Sequence, residues 1–228
     1  MSGRFFIGRT MRALAVFCTF GVISALSAAE HPKIFFKYSY AFDSVVCKDA
    51  IKSAEVTELV EMLPVLQASW DRQQTALFDA TARIVGKPFR RKEETAVLYL
   101  CRDIPAMATP LLIWGHPFLK TVRGNAALDR TMIGPIVFHE VLHLYVNEIL
   151  EKRSTPLLDE NAKESALVRA HLHSFAIEHE VFMTLDPSGK TLRTVRKMDE
   201  SYGTDYVRAW SIVTNRGAAP FIKELHER

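Results

Sequence analysis

His139-Glu140-Val141-Leu142-His143 puts two imidazoles and a carboxylate within five consecutive residues. In a helix, positions 139 and 143 lie one turn apart on the same face, so two ring nitrogens can reach one divalent metal ion, zinc above all. Glu140 falls one residue further round, beside the ion and not on it, where a general base for an activated water belongs. Ile136, Val137 and Phe138 precede the motif, and Val141, Leu142, Leu144 and Tyr145 fill its gaps and far side. The segment therefore reads as a buried helix, and a buried His-Glu-His set needs the polar compensation that a metal ion supplies. A surface helix with incidental histidines would carry charged neighbours, and between Ile133 and Val146 the only charged residue is Glu140 itself. A di-iron carboxylate site would need a second Glu-x-x-His, which the chain lacks.

A catalytic zinc site takes three protein ligands and keeps a fourth position open for water. After a break at Ser154-Thr155-Pro156, the pattern predicts a long helix from Leu158 to about Leu185. Two helices joined by a short loop lie as antiparallel neighbours. Positions near 165 to 169 then fall opposite the motif, and the nearest polar candidates are Glu164 and His171, seven apart on a stripe that Glu178 continues. Glu160 is a weaker third choice, because it sits at the loop end of the hairpin. His173 lies about 200° round from His171 and cannot share its face. His173 and His179 read as outer or surface groups, His116 as a loop residue, and His31 and His226 as terminal residues without signal. Arg169 is a candidate partner for a buried carboxylate. Tyr202 and Tyr206 are candidate oxyanion donors, or packing groups in the tail.

The elements that must position these groups occupy one domain, residues 30–228. Ile34 to Phe42 alternates as a strand or extended start. Ser53 to Val85 repeats apolar residues at three and four, with Pro64 expected to kink or split it and Gly86-Lys87-Pro88 to stop it. Thr95–Cys101 and Pro110–Trp114 read as strands. The motif helix is expected from about Leu128 to Lys152, with Pro135 marking its true first turn. Asp186-Pro187-Ser188-Gly189 is a turn, and shorter helices follow near Thr191–Ser201, Tyr206–Thr214 and Pro220–His226.

Residues 1–29 read as a secretory signal. Arg4, Arg9 and Arg12 form the basic start, Ala13–Leu26 an apolar run short of a bilayer span, and Ser27-Ala28-Ala29 a small-residue cleavage site. Removing it takes three arginines and no acids from 29 basic and 26 acidic residues, leaving a chain neutral by count. That gives no footing for nucleic-acid binding and none for stable membrane insertion after cleavage. It also removes Cys18. Cys47 and Cys101 remain, compatible in an exported protein with one disulfide or with two separate thiols.

The ten or so residues around the motif resemble the zinc-binding signature of the zincin metallopeptidases, and the order of elements resembles their minimal layout. The resemblance implies an α+β, helix-rich fold: a small sheet, an antiparallel pair of active-site helices and a helical tail, with one strand rimming a cleft in which a peptide lies as an added strand. It also bears on the third ligand. In the gluzincin branch a Glu on the following helix completes the site, which makes Glu164 the first choice over His171, although an acid usually follows four residues later and here that position is Val168. His171 then serves as a hydrogen-bond donor to the developing oxyanion. The metal set is thus His139, His143 and Glu164, holding Zn2+, with Glu140 as general base. The expected activity is that of an exported, periplasmic or secreted zinc peptidase acting on peptide or protein substrates. The alternative is a metal-binding, non-catalytic envelope protein on a degenerate peptidase scaffold, as a closed site of His139, His143, Glu164 and His171 together would indicate.

Overall fold

The computed structural model describes residues 31–47, 51–101 and 106–228. The expected leader, with Cys18, lies outside the described residues. The fold is helix-rich α+β, built on one three-stranded parallel sheet in the order β1-β2-β3. β1 (Lys33–Tyr38) pairs with β2 (Glu93–Tyr99) from Lys33↔Glu93 to Tyr38↔Leu98, and β2 pairs with β3 (Leu112–Trp114) from Val97↔Leu112 to Tyr99↔Trp114. Parallel neighbours require a crossover. Between β1 and β2 it consists of α1 (Tyr40–Val46), α2 (Ser53–Asp71) and α3 (Gln74–Val85).

Local chemistry sets several of these boundaries. The alternation that suggested a strand through Phe42 stops at Ser39, whose hydroxyl accepts the Phe42 N–H and starts α1 instead. Pro64 does not split α2. It sits on an exposed side next to Val65, which is 47 % exposed, so the carbonyl its ring frees can meet water. The break comes later, at Arg72 and Gln73. Gly86 closes α3 at φ 75, a left-handed conformation, under the ring of His226, whose Nδ1 donates to the Val85 carbonyl at 3.1 Å. His226, read as a terminal residue without signal, is thus part of a helix end.

After a short α4 (Lys120–Arg123), the motif helix α5 runs from Ile133 to Leu150, starting later than expected, with Pro135 in its first turn. It is buried along most of its length. At Gly134 it comes so close to the α2–α3 elbow that any Cβ would overlap the amide of Gln73. That amide donates to the Ser69 and Thr131 carbonyls at 3.0 and 3.1 Å. Glu151 and Lys152, at φ 50 and 62, turn the chain away.

The single long helix expected from Leu158 is two helices. α6 (Pro156–Glu160) ends at once, and α7 (Ala166–Leu185) starts afresh where Ser165 accepts the Val168 N–H. α8 (Lys190–Glu200), α9 (Thr204–Arg216) and α10 (Ala219–His226) complete the tail. α7 joins two apolar clusters. Ile177, Val181 and Phe182 pack with Phe138, Val141 and Tyr145 of α5, while Leu172 and Phe175 pack with Trp210 of α9 and Phe221 of α10.

Cys47 and Cys101 are disulfide-bonded, with Cα atoms 5.0 Å apart, tying the end of α1 to the end of β2. Beneath the bond, buried Asp43 accepts the Leu100 N–H with both carboxylate oxygens at 3.1 Å. Among the described residues, no helix is long and apolar enough to cross a membrane.

Candidate metal centre

α5 and α7 bring three imidazoles together. Ligating atoms of His139, His143 and His171 all lie within 4.8 Å of one another. The Nε2 atoms of His139 and His143 are 3.2 Å apart, and the His171 ring stands 5.2 and 4.6 Å from theirs, centroid to centroid. Each ring is held through its other nitrogen. His139 Nδ1–H donates to Glu178 Oε1 at 2.9 Å, and His171 Nδ1–H donates to the Leu167 carbonyl at 2.7 Å. His143 Nδ1 meets the Ser174 hydroxyl at 3.4 Å. A neutral imidazole that donates through Nδ1 keeps its lone pair on Nε2. In their neutral forms His139 and His171 therefore turn lone pairs inward, an arrangement that calls for a cation.

Glu164 is not among these residues. Because α7 begins only at Ala166, Glu164 lies in the preceding turn, and its carboxylate pairs with Arg208 at 2.6 Å. Glu160 pairs with Arg216 at 2.6 Å. The place beside the motif histidines that the sequence reading gave to Glu164 is taken by His171. His173 points to the other side of α7, where Nε2 meets Glu224 Oε2 at 2.8 Å. His179 pairs with Glu180 and His31 with Asp79. His116 corrects the loop reading: it is 3 % exposed and stands 3.4 Å from the buried Glu55 carboxylate. Arg169 forms no ion pair among the described residues, and its Nε is buried without a hydrogen bond.

The electrostatics divide the groups by task. Burial, together with the charge of His139, holds His143 well below the ordinary histidine value and His171 down at about 4, so both are neutral near pH 7. Burial opposes charge on His139 as well, but the Glu178 carboxylate more than offsets it and pushes the pKa up to about 10. Burial raises Glu140 to about 7, with Glu178 adding to the rise and His139 opposing it.

No protein-family model, curated protein or solved structure matches the chain.

The three histidines and Glu140 line a cavity of about 690 Å³. Met107, Trp114, Leu167 and Met198 supply apolar wall, and Tyr202 and Tyr206 stand on the α8–α9 side. The Tyr206 ring lies 4.6 Å from that of His171. Burial and nearby carboxylates raise both phenols, Tyr202 to about 12, so they remain protonated donors. One further wall residue, Asp199 of α8, escaped the sequence reading, as did the part played by Glu178. The Glu164–His171–Glu178 stripe flagged Glu178 as anomalous, but only the docking of α5 on α7 supplies its partner. Asp199 sits in a strongly charged amphipathic helix, where an acid is unremarkable.

Proposed function

We propose that the chain is an exported zinc-dependent peptidase of zincin-like design, with His139, His143 and His171 as metal ligands and Glu140 as general base. The observation that carries this reading is the outward tethering of all three rings, to a carboxylate, a main-chain carbonyl and a hydroxyl, which leaves three Nε2 atoms to converge. Two nitrogens bound to one zinc at about 2.1 Å in a tetrahedron stand about 3.4 Å apart, and His139 and His143 stand 3.2 Å apart before any ion is considered. Three imidazoles with a cavity on the remaining side fit a catalytic site better than a closed structural one. With Glu164 occupied by Arg208, a fourth ligand from that position is not at hand.

When bound, the ion supplies Lewis acidity, which makes water nucleophilic near neutral pH and polarises a carbonyl. Glu140 lies in the cavity wall with its pKa raised to about 7, suited to taking a proton from the attacking water and returning it to the leaving amine. Tyr202 and Tyr206 offer neutral O–H groups in the same cavity for the developing oxyanion. Glu178 holds the His139 ring in the tautomer a ligand needs.

The test is hydrolysis of a fluorescent casein by the secreted chain. Activity should vanish with a chelator and return with zinc. Glu140→Gln should retain one metal per chain and lose at least about a hundredfold in kcat. A Glu140→Gln protein with full activity refutes the assignment of the base, and chelator-resistant activity refutes the metal.

A further inference from the structure

The peptidase reading leaves one buried group without a task. Asp199 is 2 % exposed yet belongs to the cavity wall. Trp210 Nε1–H donates to its Oδ2 at 3.0 Å, and Trp210 is itself fixed by stacking on Phe175, with centroids 4.2 Å apart and planes at 11°. No second hydrogen bond reaches the carboxylate among the described residues, so Oδ1 is left without a protein partner. Behind it, ligating atoms of Asp199, Glu178 and His139 lie within 4.8 Å of one another, and Glu178 Oε2 is buried with no hydrogen bond.

A carboxylate withdrawn from water and held by a single donor is costly unless it keeps a proton or a positive group comes to it. Among the described residues no lysine or arginine lines the cavity. A cationic group would find Asp199 preplaced and the aromatic faces of Tyr202 and Tyr206 in the same cavity.

We propose that Asp199 anchors an ammonium group of the substrate, so that the cavity selects peptides presenting an amine close to the scissile bond. This rests on the peptidase reading above. A free amino terminus and a lysine side chain share this chemistry, and the test separates them.

The probes are three hydroxamates that bind metal and are not hydrolysed: leucine hydroxamate, N-acetyl-leucine hydroxamate and N-acetyl-lysine hydroxamate. Their affinities for the zinc-loaded chain are measured by calorimetry. At least one amine-bearing probe should bind about tenfold or more tighter than N-acetyl-leucine hydroxamate. Preference for leucine hydroxamate assigns the amino terminus, and preference for the lysine compound assigns the side chain. In Asp199→Asn the preference should fall to within about twofold. Equal binding of all three probes to the unaltered chain overturns the proposal and leaves the metal centre standing, and needs no variant to fold. A preference that survives in Asp199→Asn overturns it as well. If none of the three binds, the metal centre itself is refuted, and this proposal with it.

Discussion

Replacing Glu178 with Gln tests whether the carboxylate behind His139 tunes the centre. Glu178 is fully buried, and its Oε1 accepts the His139 Nδ1–H at 2.9 Å. Gln keeps the side-chain volume and can keep that acceptor. Its amide nitrogen takes the position of Oε2, which has no hydrogen-bond partner to lose. The fold should therefore survive, and what disappears is negative charge that makes the imidazole a stronger ligand. Outer carboxylate partners of metal-bound histidines contribute about 10–100-fold in affinity, or about 1.4–2.7 kcal/mol. This one belongs at the upper end, because no water screens it. Competition against a chromogenic chelator, measured across pH so that the proton Glu178 holds on His139 is accounted for, should give an intrinsic zinc Kd raised about 30–100-fold. The metal-free protein should also melt lower near pH 7, because Glu178 there faces a protonated His139, and that loss should vanish as the pH passes the His139 value, about 10. An unchanged intrinsic Kd refutes the reasoning.

Other outcomes separate the remaining claims. His171→Ala should raise the zinc Kd by about a hundredfold or more, while Glu164→Ala leaves it within about twofold, its exposed pair with Arg208 having little to contribute; the opposite pattern would restore Glu164 as ligand. In the metal-free protein the Glu178 carboxylate overcomes burial and pushes His139 up to about 10, so an incoming ion must displace that proton. Zinc binding near pH 7 should therefore release about one proton, and affinity should climb about tenfold per pH unit until the pH reaches that value. Calorimetry in buffers of different ionisation enthalpy reads this release, and a Kd constant between about pH 6 and pH 9 contradicts it. Replacing Cys47 and Cys101 together by Ser opens a link across 54 residues and should remove about 2–4 kcal/mol of stability in urea unfolding; an unchanged midpoint would show the bond to be dispensable.

The motif helix was legible because its burial and its candidate ligands are written in one continuous stretch. The parallel arrangement of the strands was not, since periodicity reports which residues face inward and says nothing about which strand pairs with which. Glu164 was placed beside the motif for a local reason. Apolar spacing carries across residues 158–185 as if one helix occupied them, whereas Ser165 caps a new helix and leaves Glu164 in the turn before it. Weighing that serine as a helix start would have moved the choice to His171 without any structure. Glu178 was visible as an oddity on an otherwise apolar stripe, but its role depends on a side chain from another helix. Asp199 and the buried state of His116 are products of tertiary packing alone.

Gly134 brings no functional group to the chemistry, yet it governs how deeply the motif helix seats. A methyl group there would strike the Gln73 amide, which ties the end of α2 to the turn before α5. Either the Gln73 amide swings aside and gives up the Ser69 and Thr131 carbonyls, or the helix backs away from the elbow and carries His139 and His143 with it. A single hydrogen atom at the start of α5 thus lets one amide staple three elements together, five residues ahead of the first imidazole.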